Sequence, residues 1–514
     1  MGVTSMRATT RPRNPLGAAL AELGWLRSLT SADHVVVESA SAGRTVTYGE
    51  LRRIACRWAA LLDDLDVARG ETVGLAVRDP VDFSLVFVGA ISAGRMVAPL
   101  DPHAPDAELA AACARTAPTI VVSDRGAPEG VASEWVTMPA GAFCLAGTRS
   151  VLPAQRPRPG TGGVILSTSG TTGVPKVIRL DEAQLLHTAG AVASHLELSP
   201  ADRAYNSLPL FHINAQVVGL LATLVSGSTI VLDDRFHRRG FWAAAARHRC
   251  TWINAVPAIL ARLAVLEETE TVPDGIRFAR SASAPLPVPV LERFEAATGI
   301  PVVETYGMTE AASQIAANPL HGPRKPGSVG LPVGAEVRVV ADGRDHDAVG
   351  RVEIRGPGVI RSYASAGYED RVDAEGWLET GDLGYVDDDG YLFLVGRADD
   401  VINRGGEKIY PKDVEDVVLG TPGVAAAAVV GWDHDVFGRV PVAYIVAHGV
   451  CGDGDRRSAE LLVGRVQERC DRLLSRPKRP VAYHVVGHLP QGATGKVRRR
   501  ALAGVAPIYS LLLR

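Results

Sequence analysis

Strong net charge and paired cysteines are both missing from this 514-residue sequence. A formal net charge of −3 does not favour nucleic acid as a partner. The six cysteines form no C-x-x-C pair and show no zinc-ligand spacing. That pattern predicts reduced thiols in a cytoplasmic protein.

Long apolar runs are missing as well. The longest, residues 217–232, is interrupted by glycine and serine and is shorter than a membrane span. It predicts a buried helix followed by a strand. The N-terminal segment has no apolar run after its basic residues, which argues against a secretory signal. We therefore expect a cytoplasmic protein with no membrane partner.

Helical and β-type patterns alternate through the first half of the chain. A helix is predicted from Thr47 to Leu65, because Glu50 completes a capping box and apolar residues follow at helical spacing. The next predicted elements are a strand, a helix and a strand, at residues 72–77, 80–93 and 96–100. The alternation returns between residues 229 and 304, which indicates a parallel sheet covered by helices.

The pattern changes after about residue 330. Short β-type runs there lie between turns rich in glycine and aspartate, with a hairpin predicted at Asp387–Gly390. A third pattern, typical of a small α+β domain, begins near Arg397. We therefore predict an α/β protein in two domains. Residues 1–398 would form a large layered N-terminal domain with a β-barrel-like subdomain, and residues 399–514 a small C-terminal domain.

The most distinctive motif is LSTSGTTGVPK, residues 166–176. Its glycines let backbone N–H groups converge on an anion, and Lys176 supplies a mobile positive charge. The segment suits the tail of a nucleoside triphosphate. It does not match the P-loop pattern, because Gly170 and Gly173 are too close together and Pro175 precedes the lysine.

A second motif is ETYGMTE, residues 304–310. The carboxylate of Glu310 could hold Mg²⁺ on phosphates. Tyr306 offers an aromatic face for a base or an acyl group.

Two further motifs lie nearer the C-terminus. Asp382 is suited to accept hydrogen bonds from ribose hydroxyls, and Arg397 could bind a ribose or a phosphate. Both could instead merely cap turns. Lys496 follows a glycine-rich turn, from which a lysine can swing into an active site; the alternative is a basic solvated tail.

In this order, the four motifs resemble those of the acyl- and aryl-CoA synthetase, adenylation-domain and luciferase superfamily, over roughly residues 48–499. The resemblance implies a phosphate loop made of Thr168, Ser169, Gly170, Thr171, Thr172 and Lys176. It implies an adenine site lined by Ser283, Ala284, Pro285, Glu304, Thr305 and Tyr306. Thr309 would lie near the α-phosphate, Glu310 would ligate Mg²⁺, and Asp382 and Arg397 would contact the ribose.

The resemblance also implies a mobile small domain that rotates at Asp399. Before the rotation, Lys496 would hold the acid and the α-phosphate together. After it, a loop along the pantetheine channel of CoA would replace the lysine, formed by Gly405, Gly406, Glu407 and Lys408. His212 would form a gate beside the acid, with catalytic importance. A partly polar acid pocket would include Asn214, Ser281, Gly307 and Ser313.

The reaction implied is ATP-dependent adenylation of a carboxylic acid with release of pyrophosphate, followed by transfer to CoA with release of AMP. The cofactors implied are ATP and Mg²⁺, with CoA as co-substrate. Several segments, INRGGEKIYP among them, most resemble the oxalyl-CoA synthetase branch of small-acid CoA ligases. That branch usually has histidine at Asn214 and near Ser313, so the identity of the acid stays open.

The acceptor also stays open. CoA ligases of this type usually carry proline at Trp432 and glutamate at Arg439, positions on the CoA side. A carrier protein or an amine could therefore accept the acyl group, or the enzyme could activate nitrite for diazo formation in secondary metabolism. A non-catalytic nucleotide-binding protein is a third possibility. The presence of Lys176, Glu310 and Lys496 argues against it.

Overall fold

The computed structural model describes residues 2–6, 30–145, 162–168, 176–341, 349–365, 371–448, 456–491 and 497–513. Four residues of the predicted phosphate loop, Ser169, Gly170, Thr171 and Thr172, lie outside the described residues, as does Lys496. Within the described ranges, none of the helices has the length and apolar character needed to cross a membrane.

Strands and helices alternate up to residue 332. The strands are β1 (Gly2–Met6), β2 (Val35–Ser39), β3 (Thr45–Thr47), β4 (Thr72–Ala76), β5 (Met96–Pro99), β6 (Ile120–Ser123), β7 (Glu134–Thr137), β8 (Gly163–Thr168), β9 (Lys176–Asp181), β10 (Arg203–Asn206), β11 (Thr229–Leu232), β12 (Trp252–Ala255), β13 (Phe278–Ser281), β14 (Val302–Tyr306), β15 (Ala316–Ala317) and β16 (Leu331–Pro332). The helices are α1 (Tyr48–Asp64), α2 (Pro80–Ser92), α3 (Asp106–Thr116), α4 (Glu182–His195), α5 (Ala222–Ser226), α6 (Phe241–Arg247), α7 (Pro257–Leu263) and α8 (Val288–Thr298).

Local sequence explains where several of these elements begin. The capping box predicted at Thr47 and Glu50 is present at the start of α1. Asp79 caps α2, whose first residue is Pro80. The predicted buried helix near residue 217 is a π-helix, Ala215–Leu221, that continues into α5 and is followed by β11.

These elements build two sheets. One has nine strands in the order β16-β15-β14-β13-β12-β10-β11-β2-β3, and the other has six in the order β7-β6-β4-β5-β8-β9. β12, β13 and β14 are parallel neighbours. Their carboxyl ends therefore meet at one edge of the sheet, the usual place for a ligand site in an open α/β sheet. The segments that follow Ser281 and Tyr306 lie at that edge.

The region expected to be barrel-like forms a five-stranded antiparallel sheet in the order β1-β17-β18-β19-β20. Its further strands are β17 (Glu336–Ala341), β18 (Gly350–Arg355), β19 (Leu378–Val386) and β20 (Leu392–Arg397). The predicted hairpin at Asp387–Gly390 joins β19 to β20. Strand β1, at the N-terminus, was not predicted from the sequence.

The C-terminal region has hydrophobic clusters of its own, in which all buried members follow residue 401. Its elements are β21 (Ile402–Arg404), β22 (Glu407–Ile409), α9 (Pro411–Leu419), β23 (Val424–His434), β24 (Gly438–Ala447), α10 (Arg456–Leu473), β25 (Ala482–Val485) and β26 (Tyr509–Leu512). The mixed α/β fold class is thus confirmed. The domain boundary between residues 398 and 399 stays a prediction.

Candidate active site

Lys176 and Glu310, which the sequence predicts to serve ATP and magnesium, lie side by side. Lys176 Nζ is 3.7 Å from Glu310 Oε1, and the two side chains are only 13% and 8% exposed. Tyr363 donates a hydrogen bond of 3.0 Å to the same oxygen. Lys176 Nζ also lies 5.0 Å from the centre of the Tyr363 ring. A cation, a carboxylate and a phenol are therefore held together with little access to water.

The backbone fixes this group from three directions. Thr168 and Lys176 are register partners at the ends of the antiparallel strands β8 and β9. Ala364 N–H donates to the carbonyl of Val177 over 2.9 Å, which ties the Tyr363 segment to β9. Ile360 N–H donates to the carbonyl of Glu310 over 2.8 Å.

The turn after β14 is tightly packed. Thr309–Ala311 form a short 3-10 helix, and Ala312 and Ser313 then adopt left-handed φ angles of 49° and 96°. A Cβ atom built on Gly307 would lie 1.3 Å from the carbonyl oxygen of Ser313. Gly307 and Ser313, both predicted to line the acid pocket, are therefore in backbone contact.

We expect Gly307→Ala to destabilise the protein by about 3 kcal/mol, because a methyl group here has to displace backbone. Denaturant unfolding of the purified variant measures the change. Gly464→Ala is the matched control, since its Cβ would meet no atom within 4 Å and it lies within α10. If the Gly307 variant were as stable as the Gly464 variant, the close packing of this turn would be disproved.

Tyr306, Asp382 and Arg397 form a second polar group. The Tyr306 hydroxyl donates to Asp382 Oδ2 over 2.5 Å, and Arg397 Nη1 donates to Asp382 Oδ1 over 3.3 Å. Asp382 and Arg397 are register partners on β19 and β20. Burial and the Asp382 carboxylate raise the pKa of Tyr306, so the phenol stays protonated. Each carboxylate oxygen accepts two hydrogen bonds, so Asp382 can also accept from ribose hydroxyls.

The predicted acid pocket is approached by the segment that leads into the π-helix. Burial lowers the pKa of His212 to about 4, although Asp101 raises it slightly, so the ring is neutral at pH 7. The neutral His212 ring is therefore better suited to cover the predicted acid pocket, as a gate, than to act as a general base. Asn214 Nδ2 donates to Ser283 Oγ over 3.1 Å, and Ser283 has a left-handed φ of 71°. This contact joins the predicted acid pocket to the predicted adenine segment, where Ala284 follows.

Glu304 lies on β14 and is buried, while Thr305 uses its hydroxyl to donate to the carbonyl of Ser281. Burial raises the pKa of Glu304 to about 7, with Lys412 acting to lower it and Asp416 to raise it. Burial also raises the pKa of Asp416 to about 6. Both Lys412 and Asp416 belong to α9, so charges of the C-terminal region act on a predicted adenine-site residue.

The raised pKa of Glu304 predicts a pH-dependent stability. The folded state favours the neutral form of Glu304. The contribution of Glu304 to folding stability is therefore complete below the unfolded pKa of 4.5 and is lost as pH rises through the folded pKa of about 7. Relative to a neutral side chain at this position, Glu304 lowers the free energy of unfolding at pH 8 by about 3 kcal/mol at most, since one pKa unit corresponds to about 1.4 kcal/mol. We therefore expect Glu304→Gln to gain stability over the wild type as pH rises from 5 to 8.

Denaturant midpoints measured across that pH range test this expectation. Glu292→Gln serves as the control, because Glu292 is exposed on α8. A difference between Glu304→Gln and wild type that stayed constant with pH would contradict the assignment.

The remaining predicted residues lie in or near the C-terminal region. Gly405 and Gly406, with φ of 59° and 93°, join β21 to β22 in a hairpin whose tip is exposed, and Lys408 is exposed on β22. Asp399 is exposed in a short 3-10 turn after β20. Within the part of the chain that the structure describes, no hydrogen bond or ion pair joins this hairpin to Asp382.

Sequence reasoning missed two residues of the site. Tyr363 carries no signal, because a lone tyrosine in a loop resembles any half-buried aromatic residue. Arg280 did carry one, since a basic residue in the strand sequence FARS is unusual in a buried strand. Its guanidinium is completely buried, and burial lowers its pKa to about 9.

The fold and these groups define a class of protein. A lysine beside a carboxylate suits magnesium-bound phosphates, and a carboxylate beside an arginine suits a ribose. Beside the predicted acid pocket, the arrangement is the one that an adenylate-forming enzyme requires.

Comparison with known proteins agrees with this class. The model of the family described as AMP-binding enzyme matches residues 27–364, and that of the AMP-binding enzyme C-terminal domain matches residues 413–496. The chain therefore belongs to the AMP-binding enzyme family.

Its relatives include curated and structurally characterised ligases. A sulfoacetate–CoA ligase of Cupriavidus necator is 34% identical, over 97% of this chain and 99% of its own length. An oxalate–CoA ligase of Arabidopsis thaliana is 32% identical, over 90% and 94%. The o-succinylbenzoate CoA synthetase of Bacillus subtilis, solved with its acyl-adenylate intermediate, has a TM-score of 0.79 and 27% identity over 99% of both chains.

The protein is accordingly an AMP-forming acid–CoA ligase, which activates a carboxylic acid with ATP and passes it to CoA. Its substrates and cofactors include ATP, Mg²⁺ and CoA. The alternatives of a different acceptor, nitrite activation or a non-catalytic role are not favoured by these relatives.

Proposed function

We propose that the acid is a small carboxylic acid with a second acidic group, and that the site residues named above act in its adenylation. Sulfoacetate, oxalate and o-succinylbenzoate, the acids in the relatives' names, each carry two acidic groups. The observation that carries the assignment of roles is the contact between Lys176 and Glu310, next to Tyr363.

In this proposal, Lys176 binds the β- and γ-phosphates, while Glu310 binds Mg²⁺. The fit of Glu310 to a metal ligand rests on its free oxygen: both of its side-chain contacts given above use Oε1, so Oε2 can ligate. When bound, Mg²⁺ offsets the negative charge of the phosphates. Asp382 and Arg397 fix the ribose, and Thr309 lies beside the α-phosphate.

Two displacement reactions then take place in the proposed site. A carboxylate oxygen of the acid attacks the α-phosphorus, and pyrophosphate leaves. The thiol of CoA then attacks the acyl carbonyl, and AMP leaves. The residues act by holding charge and geometry in a pocket that keeps water from the reactive anhydride. His212, neutral at pH 7, shields the anhydride instead of moving a proton.

Oxalate itself is not the acid that we favour, because its ligases usually have a histidine at the position of Asn214 and another near Ser313. A larger acid with a second acidic group suits these residues better. We place the enzyme in the cytoplasm, where ATP and CoA are both available.

The test measures pyrophosphate release from ATP with a panel of acids, with and without CoA. The panel includes malonate, succinate, sulfoacetate, oxalate, acetate and nitrite. We expect release with an acid that has a second acidic group, and CoA-dependent formation of its thioester. Release that depended on nitrite alone, or that never led to a thioester, would overturn the proposal.

A further inference from the structure

Arg280 is a buried cation that the reaction described so far does not use. It lies on β13 between β12 and β14, and its side chain is 1% exposed. Its hydrogen bonds within the described residues go to amide oxygens. Nη1 donates to Asn214 Oδ1 over 3.1 Å and to Asn254 Oδ1 over 3.3 Å, and Nη2 donates to Gln314 Oε1 over 3.1 Å.

Amide oxygens orient a guanidinium but do not neutralise its charge. A buried charge without an ionic partner is costly, and buried arginines are normally paired with carboxylates. The positive charge is also felt nearby. Burial is the main cause of the lowered pKa of His195, and Arg280 lowers that pKa further. We expect a protein to keep such a costly buried charge at a site where an anion binds during function.

A second observation points to a missing ligand. Among the described residues, four buried polar atoms in or beside the predicted acid pocket have no hydrogen-bond partner: His212 Nε2, Gln216 Oε1, Ser281 Oγ and Gln314 Nε2. Gln314 is 2% exposed, and its oxygen holds Arg280, so its unpartnered amino group belongs to the same cluster. Buried polar atoms without partners are rare in proteins, and three of these four can donate to an anion.

The cluster adjoins the predicted acid pocket at two points. Asn214 contacts both Arg280 and Ser283, which links the guanidinium to the adenine side. Gln314, whose oxygen holds Arg280, follows Ser313 directly in the sequence. Asn214 and Gln314 therefore connect Arg280 to the predicted acid pocket.

We propose that Arg280 and Gln314 form a subsite that binds the second anionic group of the acid, a carboxylate or a sulfonate. The inference rests on the proposed function and adds the residues that set its specificity. Arginine suits both anions, because its charge attracts either one and because one N–H of Nη2 has no acceptor among the described residues. The amides of Asn214 and Asn254 keep the planar guanidinium fork in place before the acid enters.

The experiment compares each diacid with its neutral monoamide: malonate with malonamate, succinate with succinamate, and oxalate with oxamate. Each pair differs in one charge at nearly constant shape. We expect wild-type kcat/KM for pyrophosphate release to favour the best diacid over its monoamide by about 10²-fold, the usual effect of a buried charge pair. Arg280→Met should lose about 10²-fold on the diacid, lose little on the monoamide and keep its KM for ATP.

Two further variants make the outcome decisive. Arg280→Lys keeps the charge without the fork and should retain part of the preference for the diacid. Arg293→Met is the control, because Arg293 is exposed on α8. If wild type used diacid and monoamide equally, or if Arg280→Met lowered both equally, the subsite would be disproved while the ligase assignment stood.

Binding can be followed without turnover, which separates the two proposals. Malonate or succinate, added with ATP, should raise the unfolding temperature of the wild type more than the monoamide does. This difference should disappear in Arg280→Met, or shrink in Arg280→Lys if the methionine variant does not fold. An Arg280-dependent shift without any pyrophosphate release would support the subsite and contradict the proposed reaction. Equal shifts with diacid and monoamide would overturn the subsite.

Discussion

Replacing Glu310 with glutamine is expected to lower kcat/KM for ATP-dependent pyrophosphate release by about 10²–10³-fold, the usual effect of losing one preorganised electrostatic contact. The carboxylate does two things in the proposed site. Its Oε1 holds Lys176 and Tyr363, and its Oε2 can ligate Mg²⁺. Glutamine keeps the shape but removes the charge that both the metal and the lysine require.

A magnesium titration distinguishes these two roles. Loss of a metal ligand should raise the Mg²⁺ concentration needed for half-maximal activity, and excess Mg²⁺ should restore part of the rate. Tyr363→Phe removes the hydrogen bond to Oε1 and should leave the Mg²⁺ requirement near that of wild type. Glu292→Gln, at an exposed position of α8, controls for the loss of one charge. An unchanged Mg²⁺ requirement in Glu310→Gln would remove Glu310 from the metal site.

Local sequence rules were sufficient for most of the fold. The capping box at Thr47 and Glu50 predicted the start of α1, and the turn residues Asp387–Gly390 predicted the hairpin between β19 and β20. Sequential strands joined by helices predicted the parallel neighbours β12 to β14. These features depend on residues within one or two turns of each other, so a single sequence contains the information.

Contacts between distant segments were harder to predict. The ring of Tyr363 meets Lys176 across 187 positions of sequence only because residue 364 pairs with residue 177. Arg280 was missed although it is a charge in a buried strand, and its three amide partners come from a neighbouring strand, the start of the π-helix and a turn. Pairing and packing of this kind follow from the complete fold, which no local pattern encodes.

The family resemblance predicted which residues form the candidate site better than it predicted how those residues contact one another. It predicted that Asp382 and Arg397 contact the same ribose. The two residues are paired on adjacent strands, and the ribose contact stays a prediction. The resemblance gave no indication that Tyr306 donates to Asp382, which joins the parallel sheet to the antiparallel one. It also gave no indication that charges of α9 act on Glu304. The second effect links the C-terminal region to the nucleotide side of the site.

Replacing Lys496 with alanine is expected to lower adenylation by about 10³-fold, since the lysine is proposed to hold the acid against the α-phosphate. Lys496 itself lies outside the described residues. Gln491 and Val497, on either side of it in the sequence, form an antiparallel β-bridge. Arg499 Nη1 lies 2.5 Å from Oε1 of Glu415, which belongs to α9. Arg499 also lies 3.5 Å from Asp400, beside the proposed hinge.

Because these contacts fix the base of the segment to α9, a rotation at Asp399 would carry Lys496 with the C-terminal region. The lysine would then be absent from the second step. Conversion of a supplied acyl-adenylate to its CoA thioester should accordingly stay within about threefold of wild type, a difference below about 1 kcal/mol. Arg472→Ala, which removes a positive charge from an exposed position of α10, should leave both steps unchanged. Equal losses in the two steps for Lys496→Ala would mean that the lysine stays at the acid throughout, and that rotation of the small domain does not separate adenylation from transfer.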